Sequence, residues 1–190
     1  MAKMEPEEEQ KLIAQHAHLK RYLDNAAKKM KKPIFYTGTP SEEKGNKYPN
    51  CIYPTKGVVF IHMVRTPDME QIEYRAIAPE LTEDQKKKQD IVLERMYERA
   101  HFHSNIKSPD DLRREIATVL DEITVVDENA VKFDKNKSSG RVKITSEDKI
   151  SLKYHITKDI VGGGPLEPLM RDPNIEDIHI ITGEDVHLIH

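Results

Sequence analysis

An α+β fold follows from three features of the 190-residue sequence. Apolar residues recur at steps of three and four between Leu12 and Met30 and again between Leu93 and Ile123, which is the period of helices buried on one face. VVFIHMVR and QIEYRAIA, separated by TPDME, carry the dense and the alternating apolar patterns of two strands in a hairpin. The polar run DENAVKFDKNKSSGRVKITS then separates these elements from a second stretch of mixed character. The sequence therefore predicts N-terminal helices with a β-hairpin over 1–126, a linker or exposed loop over 127–146 and the beginning of a second α/β unit over 147–190.

The first helix is expected from Glu5 to Lys32, with Leu12, His16, Leu19, Leu23, Ala26 and Met30 on one stripe. Glu5, Glu7, Glu8 and Glu9 at its start and Lys28, Lys29, Lys31 and Lys32 at its end both complement the helix dipole. An apolar stripe is stable only when covered, so this one must meet a core, another domain or another chain. Pro33 ends the helix, and the residues through Pro49 read as loop. After the hairpin, Thr82 and Gln85 form a capping box, and Leu93, Met96, Tyr97 and Ala100 mark the apolar face of a helix that runs to about His101. Ser108 caps the next helix, Pro109 occupies its first turn, and Leu112, Ile116, Val119, Leu120 and Ile123 line it. Residues 149–156 are ambiguous, although periodicity alone slightly favours a strand. Ile150, Leu152, Tyr154 and Ile156 alternate like a strand, whereas Ser146, Glu147 and Asp148 look like a helix start. Beyond the glycines a short helix in PLEPLMRD, a strand in NIEDIHII, a turn in TGED and a strand in VHLIH complete the order.

Composition narrows the function. Hydrophobic residues make up 37% and charged residues 33%, with a net charge of -3, which gives no basic excess for coating nucleic acid. No apolar run approaches the length of a membrane helix, and the start MAKMEPEEEQ is not a secretory leader, so a cytoplasmic location is expected. Cys51 is the only cysteine. A disulfide within the chain and any multi-cysteine zinc site are thereby excluded, and its apolar neighbours predict a buried thiol.

The run VGGGPLEPLMRDPNIEDI, from Val161, has the look of a phosphate cradle but not its parts. GxxxxGK[ST] occurs nowhere, Glu167 stands where a dinucleotide fingerprint needs its third glycine, and Pro165 removes an amide donor. A simpler expectation is that Gly162, Gly163 and Gly164 leave the preceding element with positive φ angles and that Pro165 starts a short helix.

The same residues carry a family resemblance. GxGPLEPLMRDPNIEDI, preceded by YxIxKDIV and followed by a TG turn and a short apolar strand, resembles the entry to the N-terminal domain of archaeal type II/IV secretion-system ATPases. These are the motors of archaella and type IV-like pili. PNCIYPTKGVVFIHM and the hairpin ending AIAPELTEDQ look like the region that precedes it, so the resemblance covers roughly Tyr48 to Glu83 and Tyr154 to His190. Its motif residues are Gly162, Gly163, Gly164, Pro165, Leu166, Pro168, Leu169, Asp172, Pro173, Glu176 and Asp177.

The resemblance implies that Tyr154 to Val161 is helical and leads into a PAS-like α/β domain, of which this chain reaches the second strand. It implies that the longer protein binds ATP and Mg, assembles as a hexamer, and works with an inner-membrane platform protein and accessory motor proteins at the cytoplasmic face of the membrane. Walker A and B motifs, an Asp box and a His box are not in these residues, so no catalytic, cofactor-binding or metal-binding residue carries over. Where relatives read GYGK or similar, this sequence has three glycines.

These readings lead to a non-catalytic interaction domain of such a motor, with the ATPase domain of the same or a neighbouring subunit as partner. By itself the chain is expected to be a monomer or weak dimer. The alternative is a stand-alone adaptor or nucleic-acid-binding module that uses the Lys28 to Lys32 and Lys86 to Lys88 clusters. The nine histidines include the close pairs His16 with His18 and His101 with His103, and the group His179, His187 and His190. His179 and His187 are positioned to meet across a hairpin with Asp177 on the same face, but no dense ligand motif accompanies them. Glu167, Glu176 and Asp177 lack a nucleophile or oxyanion donors beside them and read as caps and surface charges. Asp172 or Asn174 is expected to organise the turn at Pro173 by accepting from backbone amides.

Overall fold

The computed structural model describes residues 2–40, 43, 45–55, 57–99, 106–133, 140–181 and 186–189. It is an α+β structure in two units: one comprises residues 1–78 and 166–190, the other Pro79–Pro165. The expected division at 127–146 is therefore displaced. That polar run lies inside the second unit, and the first unit is built from both ends of the chain.

In the first unit a four-stranded sheet has the order β1 (Ile34–Phe35), β2 (Asn50–Pro54), β3 (Phe60–Val64) and β4 (Glu73–Ile77). β1 runs parallel to β2, while β2, β3 and β4 are antiparallel neighbours, with Ile52 opposite His62 and His62 opposite Arg75. The predicted hairpin is β3–β4. β1 and β2 fall where loop was expected or where the sequence was left unassigned, and β1 is a strand of two residues.

The predicted N-terminal helix is two helices, α1 (Pro6–Gln15) and α2 (Ala17–Ala26). His16 interrupts them with φ -127° and ψ 90°, outside the helical region. The stripe survives the break. Leu19 is buried with Phe35, Ile52, Phe60 and Ile77, and Leu12, Ile13, Tyr22 and Leu23 pack around them. The apolar face of the first helices is thus covered within this unit by one face of the sheet.

The register puts Cys51, Tyr53, Ile61, Met63 and Tyr74 on the sheet's opposite face. Cys51, Tyr53 and Ile61 are buried there, as predicted for the thiol. The C-terminal part of the unit holds α6 (Glu167–Met170) and the antiparallel pair β7 (Asp177–His179) and β8 (His187–Ile189), as the sequence predicts. The TGED turn lies outside the described residues.

The second unit packs α3 (Glu83–Arg99), α4 (Pro109–Ile123) and α5 (Ser146–Ile160) around Val92, Met96, Ile116, Leu120, Ile123, Leu152 and Ile156. Both expected N-caps of α3 and α4 form: Thr82 and Gln85 bond reciprocally at 2.9 and 3.3 Å, and the Ser108 hydroxyl accepts from the Asp111 amide at 3.1 Å. The face of α3 is rotated from the expected one. Gln85, Lys88, Val92 and Met96 are buried, whereas Tyr97 is 76% exposed, and Ala100 lies outside the described residues. Residues 149–156 are helical, and the cap of α5 is Thr145, in a capping box with Asp148. The supposed linker is a return between two parallel strands, β5 (Thr124–Val126) and β6 (Val142–Ile144). Such a return needs a dozen or more residues, which is what the polar run supplies.

A buried ion pair organises this unit. Lys88 Nζ lies 2.5 Å from Asp148 Oδ2 and also donates to the carbonyls of Ala130 and Val131, while Gln85 Nε2 donates to Asp148 Oδ1 at 2.9 Å. Burial works to raise the Asp148 carboxyl, but the Lys88 ammonium, the Thr145 amide and Gln85 outweigh it and leave its pKa lowered. Lys88 thereby ties α3 to α5 and to the segment after β5.

Candidate functional site

The motif block occupies the end of the second unit and the start of the C-terminal part of the first. α5 ends as the amides of Val161 and Gly162 both reach the Thr157 carbonyl, at 2.9 and 3.1 Å. Of the three glycines only Gly164 has a positive φ, +57°, so the expected run of left-handed residues reduces to one. Gly164, Pro165 and Leu166 form a single 3₁₀ turn that feeds α6, with Pro168 in the first turn of that helix. No phosphate cradle results. The turn has one left-handed glycine, a proline without an N–H, and no lysine or hydroxyl after it, so these residues do not fit a nucleotide or its magnesium ion.

What the block does build is a set of contacts to the first unit's own sheet. Asp172 is 3% exposed, and its Oδ2 accepts from the Tyr53 hydroxyl at 2.6 Å and from the Tyr74 hydroxyl at 2.7 Å. Its Oδ1 accepts from the backbone amide and the side-chain amide of Asn174, both at 3.0 Å, which is the expected turn around Pro173. Asn174 Nδ2 also donates to Thr39 Oγ1. Burial, and then the bond to Asp172, push both phenols well above the usual tyrosine range, so they remain donors at every physiological pH.

Two neighbours complete the arrangement. Arg171 Nε and Nη2 each lie 2.7 Å from Glu167 Oε1, so Glu167 is a buried ion-pair partner rather than the surface charge expected of it. Arg171 Nη1 would stand 3.1 Å from a Cβ at residue 57, where Gly57 has φ +95°. The backbone conformation favours glycine there, and a Cβ would ask the guanidinium to shift by a few tenths of an ångström.

Other motif residues adjoin this buried group, the Leu169 carbonyl accepting from the Asp172 amide at 3.1 Å. Leu169, Glu176 and Asp177 border a shallow depression of about 320 Å³ between α6 and β7. Glu176 and Asp177 are exposed, and Asp177 accepts from the Ile178 amide at 3.0 Å. His179 and His187 are register partners, as expected, and His179 Nε2 is 3.3 Å from Asp177 Oδ2. Among the described residues no group of three His, Cys, Asp or Glu side chains is placed to hold a metal ion. His101, His103 and His190 lie outside those residues.

The lysine clusters differ from one another. Lys28, Lys29 and Lys31 are exposed, and Lys32 pairs with Glu9 at 2.6 Å. In the second cluster Lys86 pairs with Glu83 at 2.7 Å and Lys88 is buried, so it presents no continuous basic surface. Among the described residues no helix is long and apolar enough to cross a membrane.

Sequence reasoning found Asp172 and Asn174 but not the two phenols that bind them. Tyr74 was visible only as one apolar step in an alternating strand, and Tyr53 lies in a strand that was not assigned.

No family model matches the chain. It is similar to an uncharacterized protein of Methanocaldococcus jannaschii, MJ0900, at 32% identity over 189 residues, an alignment that covers 94% of this chain and 33% of that protein. The chain spans about a third of the length of the relative it matches.

Proposed function

We propose that this chain is a non-catalytic interaction and regulatory region of a hexameric secretion-type ATPase that drives assembly of an archaellum or a type IV-like pilus. The observation that carries the reading is the use made of the motif block. Its polar residues Glu167, Asp172 and Asn174 turn inward to fix the returning chain on the sheet instead of outward toward a substrate. The similarity to an archaeal protein about three times as long supports a role as one part of a larger machine.

In this reading ATP and Mg are bound by the rest of the longer protein, and the present residues position that engine against its neighbours and against a platform protein on the cytoplasmic side of the membrane. The change of unit between Pro165 and Leu166, close after the glycines, supports reading the glycine turn as a joint. The test is replacement of Gly162, Gly163 and Gly164 by alanine in the complete motor. Filament assembly is expected to fall more than the amount of folded protein; unimpaired assembly removes the joint. Salt-dependent capture of DNA or RNA by the purified chain, with no effect on any filament, would favour the adaptor reading instead.

A further inference from the structure

We infer that α1 and α2 are held on the sheet by a proton-sensitive clasp centred on His62, which lets the helical layer of the first unit open on acidification. His62 lies in the central strand β3 with 0% exposure. The Tyr22 hydroxyl of α2 lies 2.6 Å from its Nδ1, and Asn50 Oδ1 of β2 lies 2.8 Å from its Nε2.

At one end of this relay the Arg75 guanidinium from β4, which donates to Glu73 at 2.7 Å, places a positive charge near His62. At the other end Asn50 Nδ2 donates to the Lys31 carbonyl at 3.0 Å, which turns Asn50 Oδ1 toward His62 and assigns the imidazole proton to Nε2. With the proton on Nε2, a neutral imidazole accepts from the Tyr22 hydroxyl at Nδ1, and both ring nitrogens are satisfied without a buried charge. A proton on Nδ1 would require the tyrosine to turn its own proton away and would set an imidazolium in a buried site near the Arg75 cation.

Two more imidazoles share the interface. His18 Nε2 lies 2.9 Å from the Val58 carbonyl, and His16, at the break between α1 and α2, has a buried Nδ1 without a hydrogen-bond partner. Both stack edgewise or tilted on Phe60, and they face each other at 5.6 Å between ring centroids. The charged and titratable groups around the three are Tyr22 and Arg21 from α2 and Arg75 with Glu73 from β4; β2 contributes the neutral Asn50. Burial lowers all three imidazoles, His18 and His62 to about 4; at His18 the bond to the Val58 carbonyl opposes it while His16 and Arg21 add to it, and at His62 Arg75 adds to it.

The sign follows from linkage. Released, these imidazoles titrate near 6.5, and clasped, His18 and His62 titrate near 4. The open state therefore binds more protons between those values, and the clasp is complete above the upper one and weakened as pH falls toward the lower. Within that window each such imidazole shifts the open-to-closed ratio by about tenfold per pH unit.

Hydrogen exchange of the full chain, measured as protection factors from pH 8 to pH 4, tests the clasp. Amides of Pro6–Ala26 are expected to lose protection within the window while those of Ser146–Ile160 keep theirs. Tyr22→Phe frees Nδ1 to take a proton and is expected to move the midpoint up by about half a unit or more. If that variant does not fold, His62→Gln serves in its place and should make the pH dependence shallower by about tenfold per unit. Loss of both segments together, full protection of Pro6–Ala26 down to pH 4, or an unmoved midpoint in Tyr22→Phe together with an unchanged slope in His62→Gln would overturn the inference.

Discussion

Replacing Asp172 by asparagine is expected to destabilise the first unit by about 3 kcal/mol, because it changes hydrogen-bond capacity at almost constant volume. The carboxylate accepts four bonds, two phenolic on Oδ2 and two from Asn174 on Oδ1. An amide offers one oxygen and one NH₂: turned one way its NH₂ faces the Asn174 donors, and turned the other the two phenols must reverse and accept from it, losing the carboxylate as partner for their own protons. Each bond to a charged acceptor contributes about 1.5–3 kcal/mol net, and two are lost in either orientation. Tyr74 is only half-buried and can recover part of its loss from water, which places the sum near the lower end of that doubled range. A cost of this size is a large share of the 5–15 kcal/mol, roughly, that stabilises an ordinary domain.

The assay is urea unfolding together with local hydrogen exchange, and Tyr53→Phe and Tyr74→Phe close a double-mutant cycle. Tyr53→Phe, at the more buried phenol, should cost more than Tyr74→Phe. Exchange should rise first in Leu166–Asp177. A cost below about 1 kcal/mol for Asp172→Asn, or phenylalanine variants whose effects simply add to it, would show that the carboxylate does not anchor this segment.

Three further outcomes follow from the same structure. Lys88→Met leaves the Asp148 carboxylate buried without its ammonium and two carbonyls without their donor, and thermal unfolding should show a loss of about 3–5 kcal/mol. Gly164→Ala imposes a left-handed conformation on a residue with a Cβ and should cost about 1 kcal/mol in urea unfolding, although no atom lies within 4 Å of that Cβ. The Cys51 thiol, pushed up to about 12 by burial and then by the Glu43 charge, should react with a disulfide reagent only at the rate of unfolding, and rapid reaction in native conditions would contradict its placement.

Much of the secondary structure was legible because its signals are local. The capping residues Thr82, Gln85 and Ser108 satisfy orphan amides a few residues away, so their chemistry can be read without the fold. The break at His16 was not legible, since the stripe Leu12, His16, Leu19 and Leu23 continues in phase across it. Lys88 and Tyr97 exchanged their expected places: a lysine is read as solvated unless an acid such as Asp148, 60 residues away, is known to meet it. In α5 the alternation of Ile150, Leu152, Tyr154 and Ile156 misled because this helix buries residues on more than one side, among them Ser151 and Thr157. The two-unit division was hidden for a topological reason. A domain assembled from both ends of a chain leaves no single shift in composition at its boundary.

The candidate site shows the same limit. Asp172 was named from the sequence as a turn former, which it is, yet its larger role depends on Tyr53 and Tyr74, 119 and 98 residues away along the chain. Likewise the relay through His62 joins α2, β2 and β3, and no spacing rule in the sequence points to it.

The proposed role of these residues is to shape contacts for an ATPase engine located elsewhere in a longer protein. Its most direct test is a binding isotherm of the purified chain against the cytoplasmic part of the filament platform protein from the same genome, with phosphate release from MgATP recorded in the same sample. Saturable binding with no phosphate release above the spontaneous rate is the predicted result. Saturable ATP turnover by the chain alone, with no binding to the platform, would contradict it.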